Sequence, residues 1–190
     1  MKCLICNRFS LSLFCLTCQE EHLKPTVTKR ILSDGLEVFS FYKYSEIQDF
    51  IKTKHTYHGQ KIYKALAKNS FCNFAKDFFY EKKVYALPVD DKLTSNYSHT
   101  AILAHALNSK NIKPLFKKLR AKNTVSYSTK TLEFRLKNPR DFDYTFKKNI
   151  DVILVDDIVT TGTTLSEAKA LLQNHDVNVL FALTLADARQ

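Results

Sequence analysis

Residues Val152 to Leu165 read V-I-L-V-D-D-I-V-T-T-G-T-T-L, and this stretch restricts the fold more sharply than any other. The run Val152–Val155 has no polar alternation, so a strand made from it must be covered on both faces, as the strands of a parallel sheet are. Two adjacent carboxylates, Asp156 and Asp157, follow it, and then Ile158, Val159 and a turn with Gly162 set among Thr160, Thr161, Thr163 and Thr164. Ligands of parallel sheets gather at the carboxyl ends of the strands. The turn should open a helix, whose first amides and partial positive charge attract anions. Gly162 lets backbone approach a phosphate, and the threonine hydroxyls add donors. Carboxylates beside such a cradle repel its ligand unless they face another part of it, either hydroxyls that donate to them or a bridging divalent cation. A sugar phosphate with free hydroxyls meets both demands. The turn is neither G-x-x-x-x-G-K-[ST] nor G-x-G-x-x-G.

The flanking pattern agrees. Strand Ile150–Val155, helix Thr164–Asn174 and strand Val177–Leu185 form a parallel βαβ unit, so the fold class is α/β. Upstream, the pattern predicts a strand or hairpin arm at Leu36–Tyr44, helical spacing at Ile47, Phe50 and Ile51, and a polar loop from Lys52 to Gly59. One long helix follows from about Gln60 to Glu81, with Ile62, Leu66, Phe74 and Phe78 inward. Val84–Val89 and Ile112–Phe116 read as strands, and Ser98 as the N-cap of a helix ending near Ala106. The segment from Lys117 to Arg140 is basic and hydroxyl-rich with little apolar periodicity. Cys72 lies beside Phe71 and Phe74 and reads as core.

Four of the five cysteines fall in the first 18 residues, as Cys3-Leu-Ile-Cys6 and Cys15-Leu-Thr-Cys18. Two such knuckles supply four thiolates, the ligands a structural tetrahedral zinc favours, and leave no open position for catalysis. Asn7 and Ser10–Ser12 would turn the chain between knuckles, with Ile5, Phe9, Leu13 and Phe14 as a small core. A redox dithiol pair or bystander thiols are the alternatives. The expected organisation is a zinc module over 1–24, a linker containing Pro25, and an α/β domain over 30–190.

A hydrophobic fraction of 45% and charged fraction of 25% suit a globular chain, and no helix-length apolar run is long enough to span a bilayer. With no signal-like segment, a cytoplasmic location without membrane insertion is expected. The net charge of +10 fits a polyanionic partner or a lysine-biased composition equally.

V-D-D-I-V-T-T-G-T-T resembles the phosphoribosyl-pyrophosphate (PRPP) loop of type I phosphoribosyltransferases. With the four-cysteine module in front, the chain resembles the ComF family of competence proteins, related to amidophosphoribosyltransferases. Further likeness lies at Ile51 and Lys54 before Gly59, Leu87-Pro-Val89, Leu132, Arg135, Asn138 and Thr184-Leu-Ala186. The resemblance implies a hooded, twisted, mainly parallel sheet and a PRPP site using magnesium. Asp156 and Asp157 would grip the ribose hydroxyls, Thr160–Thr164 would hold the 5-phosphate, and the loop at Lys54, His55, Thr56, Tyr57 and on to Gly59 would meet the pyrophosphate. It also implies a role in uptake of transforming DNA, with single-stranded DNA and uptake proteins as partners.

Two departures qualify this. Where many relatives carry arginine-glycine-x-asparagine-glutamine after the proline-containing strand, this chain has Ser95-Asn-Tyr97-Ser98-His99, and a glutamine expected near Ser126 is absent. Binding is therefore implied more firmly than turnover, and the acceptor is undefined. A non-catalytic, PRPP-gated DNA-binding adaptor and a nucleobase salvage enzyme are the competing functions. The basic stretch with Lys117, Lys118, Arg120, Lys122, Tyr127, Lys130, Phe134, Arg135, Lys137 and Arg140 could track a single-stranded backbone or be a solvated face. Lys54, His55 and His58 could be a solvated loop, His99 helix surface or core, and Arg135 a hood ion pair.

Overall fold

A computed structural model describes residues 1–56, 58–89, 97–123 and 140–190. Six strands form one sheet: β1 (Thr28–Ile31), β2 (Glu37–Lys43), β3 (Val84–Pro88), β4 (Ile112–Pro114), β7 (Asp151–Val159) and β8 (Asn178–Asp187). Their order is β1-β2-β8-β7-β3-β4, with only the β1-β2 hairpin pair antiparallel. A separate antiparallel pair joins β5 (Leu119–Ala121) to β6 (Phe142–Tyr144). From β3 the chain steps outward to β4, and from β7 it steps outward the other way to β8. The topological switch point is therefore between β3 and β7, the position at which open α/β sheets bind ligands.

Both faces of the sheet are covered, as the apolar run in β7 requires. Ile153 and Val155 pack into one core with α2 (Tyr44–Lys52), α3 (Gly59–Asn69), α4 (Phe71–Asp77) and α5 (His99–Ala106). Val152 and Leu154 pack into the other with α6 (Thr163–Asn174), β5 and β6. Ser98 caps α5 as expected, its hydroxyl accepting from the Ala101 amide at 3.0 Å.

Three expectations need correction. The helix predicted over Gln60–Glu81 is two helices: buried Ser70 donates both its amide and its hydroxyl to the Leu66 carbonyl, at 3.1 and 2.7 Å, which bends the chain before α4. The strand expected to end at Val155 runs on to Val159, so Asp156 and Asp157 belong to the ladder, with Asp156 paired to Thr184. Phe9 is not core but 79% exposed. The cysteine segment instead leans on the sheet domain: Phe14 meets Phe50 edge-on at 5.1 Å, and Tyr42 donates to the carbonyl of Leu23, the residue that follows α1 (Leu16–His22). Cys72 is half-buried. Among the described residues, no helix is long and apolar enough to cross a membrane.

Candidate functional site

Adjacent residues of a strand point to opposite faces, and this separates the two aspartates. Asp156 lines a cavity of about 20 Å³ with Ile158, Val159, Thr160, Thr161, Gly162, Thr163, Thr164 and Leu165. That volume has room for about one water molecule. Asp157 is buried on the other side, where its Oδ2 accepts from Lys54 Nζ at 2.9 Å and from the Tyr63 hydroxyl at 3.2 Å, with His99 Nε2 at 3.5 Å. The two carboxylates remain linked through backbone, since the Asp157 amide donates to Asp156 Oδ1 at 2.8 Å and the Ile158 amide to Asp157 Oδ1 at 2.9 Å.

Their electrostatics diverge accordingly. Burial, reinforced by the Asp157 charge, raises the pKa of Asp156 well above the ordinary carboxylate range. Burial would raise Asp157 too, but His99 and Lys54 outweigh it and hold its pKa low. Burial lowers and Asp157 raises the Lys54 pKa, and Asp157 prevails. A carboxylate pair splits in this way when one member holds the cations.

The turn is built for close approach. Gly162 has φ +88° and is the N-cap of α6, with no side-chain cap. A Cβ there would meet Leu32 Cδ2 at 2.6 Å. Thr161 and Thr163 join hydroxyls at 2.9 Å. Behind the turn, Arg30 donates to the carbonyls of Thr160 at 2.8 Å and Thr161 at 3.1 Å, and pairs with buried Asp187 at 3.2 Å.

Residues 115–190 match the family model described as phosphoribosyl transferase domain. The match covers 76 of the 190 residues, and the fold is the α/β fold of type I phosphoribosyltransferases. Similar solved structures include a hypoxanthine phosphoribosyltransferase from Staphylococcus aureus, 20% identical with a TM-score of 0.41, covering 67% of this chain and 64% of that one. An adenine phosphoribosyltransferase is 16% identical, TM-score 0.42, over 90% of this chain and 88% of that one. An orotate phosphoribosyltransferase from Aeropyrum pernix is 16% identical, TM-score 0.39, over 90% and 80%. The chain thus spans 64% of the length of the first of these phosphoribosyltransferases. No curated protein matches it.

Of the expected pyrophosphate loop, Thr53–His55 forms a 3-10 turn, Thr56 is exposed and Tyr57 is outside the described residues. Lys54 reaches Asp157 rather than the cavity beside Gly162. Its carbonyl accepts from the Tyr97 hydroxyl, which lies against Gly59 so closely that a Cβ there would overlap it. Lys117, Lys118, Arg120 and Lys122 lie on and beside β5, whereas Tyr127, Lys130, Leu132, Phe134, Arg135, Lys137 and Asn138 are outside the described residues, as are Ser95 and Ser126. Lys118 lies over the Phe146 ring at 5.7 Å, and Lys122 is 4.0 Å from Asp141. Sequence reasoning missed Arg30, Asp187 and Tyr63. Arg30 and Asp187 are 157 positions apart, and neither carries a local motif.

The four cysteine sulfurs all lie within 4.8 Å of one another, and Cys6 and Cys15 are 3.7 Å apart. Tetrahedral zinc with bonds of about 2.3 Å separates its sulfurs by about 3.8 Å. The cluster is also divided electrically. Cys3 is buried, which opposes ionisation, yet backbone amides of Cys6, Cys15 and Ile5 draw its pKa down to about 6; Arg8 lowers that of Cys6. Burial and neighbouring thiols push Cys18 up to about 12. Ionised together, four thiolates this close would need a cation among them, and the donor set could hold zinc or a metal like it.

Proposed function

We propose that the protein binds PRPP with magnesium, and that the turn after β7 seats its 5-phosphate. The observation that carries this reading is the placement of the Thr160–Thr164 turn at the switch point, opening onto α6 within a phosphoribosyltransferase domain. Asp156, facing the cavity, would take the ribose hydroxyls, and magnesium beside it would favour its ionised form and neutralise charge on the pyrophosphate. Asp157, on the opposite face, would act on the site through the backbone, its amide donating to Asp156 Oδ1. Calorimetry with PRPP and magnesium tests this: Asp156→Ala should abolish detectable binding and Asp157→Ala weaken it. Undiminished affinity in both variants would remove the site.

The role proposed for this site is in natural transformation, as a phosphoribosyltransferase-like protein contacting single-stranded DNA and uptake proteins. The ComF resemblance, the net charge of +10 and the exposed Lys117, Arg120 and Lys122 support it. Binding to single-stranded DNA should fall steeply with salt, by a slope of about 0.7 per phosphate neutralised. No binding at low salt would end the proposal. Residues 95–99, lacking arginine and glutamine, favour the adaptor over the enzyme. Pyrophosphate release with candidate acceptors separates the two.

A further inference from the structure

The β1-β2 hairpin does more than extend the sheet edge. Three of its residues reach the phosphate-binding turn and the helix behind it. Leu32 fills the space beside Gly162. Lys169 on α6 donates to the Asp34 carbonyl at 2.7 Å and lies 3.6 Å from its carboxylate. Arg30 takes two consecutive turn carbonyls, with its side chain only 14% exposed and Asp187 only 3%.

The direction of those carbonyls decides what the turn presents. In a trans peptide the C=O and the N–H of the next residue point opposite ways. With the carbonyls of Thr160 and Thr161 aimed at Arg30, the amides of Thr161 and Gly162 are aimed away from the hairpin. Neither Arg30 nor Leu32 lines the cavity formed by Asp156 and residues 158–165, as a cavity on the amide side of the turn requires. A turn containing a glycine at positive φ has little intrinsic resistance to a peptide flip. After a flip, a carbonyl oxygen would face the anion where an amide had faced it.

We propose that Arg30 is a positioning residue that fixes the two peptides of the turn with their N–H groups toward the ligand phosphate, anchored in turn by Asp187. The proposal rests on the PRPP reading of the same site. Guanidinium suits the task because its planar fork reaches two carbonyls while pairing with a carboxylate, whereas an ammonium is a point charge. The positive charge also sits behind the peptides, polarising them in the sense that favours an anion in front.

The test uses the full chain with ribose 5-phosphate and, separately, PRPP with magnesium. Calorimetry gives affinity, and amide resonances of Thr161 and Gly162 report the peptides. In the wild type both amides should shift downfield on ligand binding. Arg30→Lys and Arg30→Gln should weaken affinity by about tenfold or more and remove those shifts. Asp187→Asn should give a smaller loss of the same kind. Equal affinity with unchanged shifts in Arg30→Lys would overturn the role of Arg30 and leave the PRPP reading standing. Wild-type binding that moves neither amide would do the same, even if every variant failed to fold. Failure of the wild type to bind either ligand would overturn both.

Discussion

Lys54 and Asp157 are 103 positions apart in sequence and 2.9 Å apart in the fold. Breaking a buried pair leaves a charge without compensation, so Lys54→Met should cost about 3 kcal/mol in urea denaturation near neutral pH. The sign of its pH dependence follows from the low pKa of Asp157. A carboxylate held low contributes stability above its unfolded value, about pH 4, and loses it as pH falls through the folded value. The gap between wild type and Lys54→Met should therefore narrow on acidification. A gap that stayed constant down to pH 3 would mean that Lys54 acts by packing alone. Gly162 gives a second residue-scale expectation. Gly162→Ala meets both a left-handed backbone and Leu32, and should cost about 2–4 kcal/mol. Adding Leu32→Ala should relieve the steric share but not the conformational one, so a double-mutant cycle on thermal unfolding separates them. Full rescue would show that φ costs nothing there.

At the scale of elements, α1 depends on the cysteine cluster. It is seven residues long, below the length at which an isolated helix is stable, and Cys18 lies within it. Chelation should therefore melt α1 and loosen the Phe14–Phe50 contact, lowering the unfolding temperature by several degrees, about 2–4 °C per kcal/mol for a chain this size. Freshly purified protein should hold about one equivalent of zinc, and Cys18→Ser well under half. An unchanged melting curve after chelation would defeat the metal assignment. The elements were legible in unequal measure. Ser98 and the β7-α6-β8 unit were readable because a cap residue and a period of apolar residues are local signals. The break at Ser70 was not, since its hydroxyl turns to Leu66 only once the residue is buried.

For the whole molecule, the fold brings Tyr63 of α3, His99 of α5 and Asp157 of β7 together beside the switch point between β3 and β7. The apolar run, the tandem acids, the glycine among threonines and the paired cysteines settled by themselves that this is an α/β chain with a glycine-threonine turn after a strand and a cluster of thiols. Those are contacts between near neighbours or the demands of covering a strand, and both are written locally. Only the tertiary structure divided the two aspartates between opposite faces, gave Asp157 to Lys54, Tyr63 and His99, and set Arg30 behind the turn. Each of these pairings spans tens to more than a hundred residues, and a long-range partner leaves no periodicity in the chain from which it could be read.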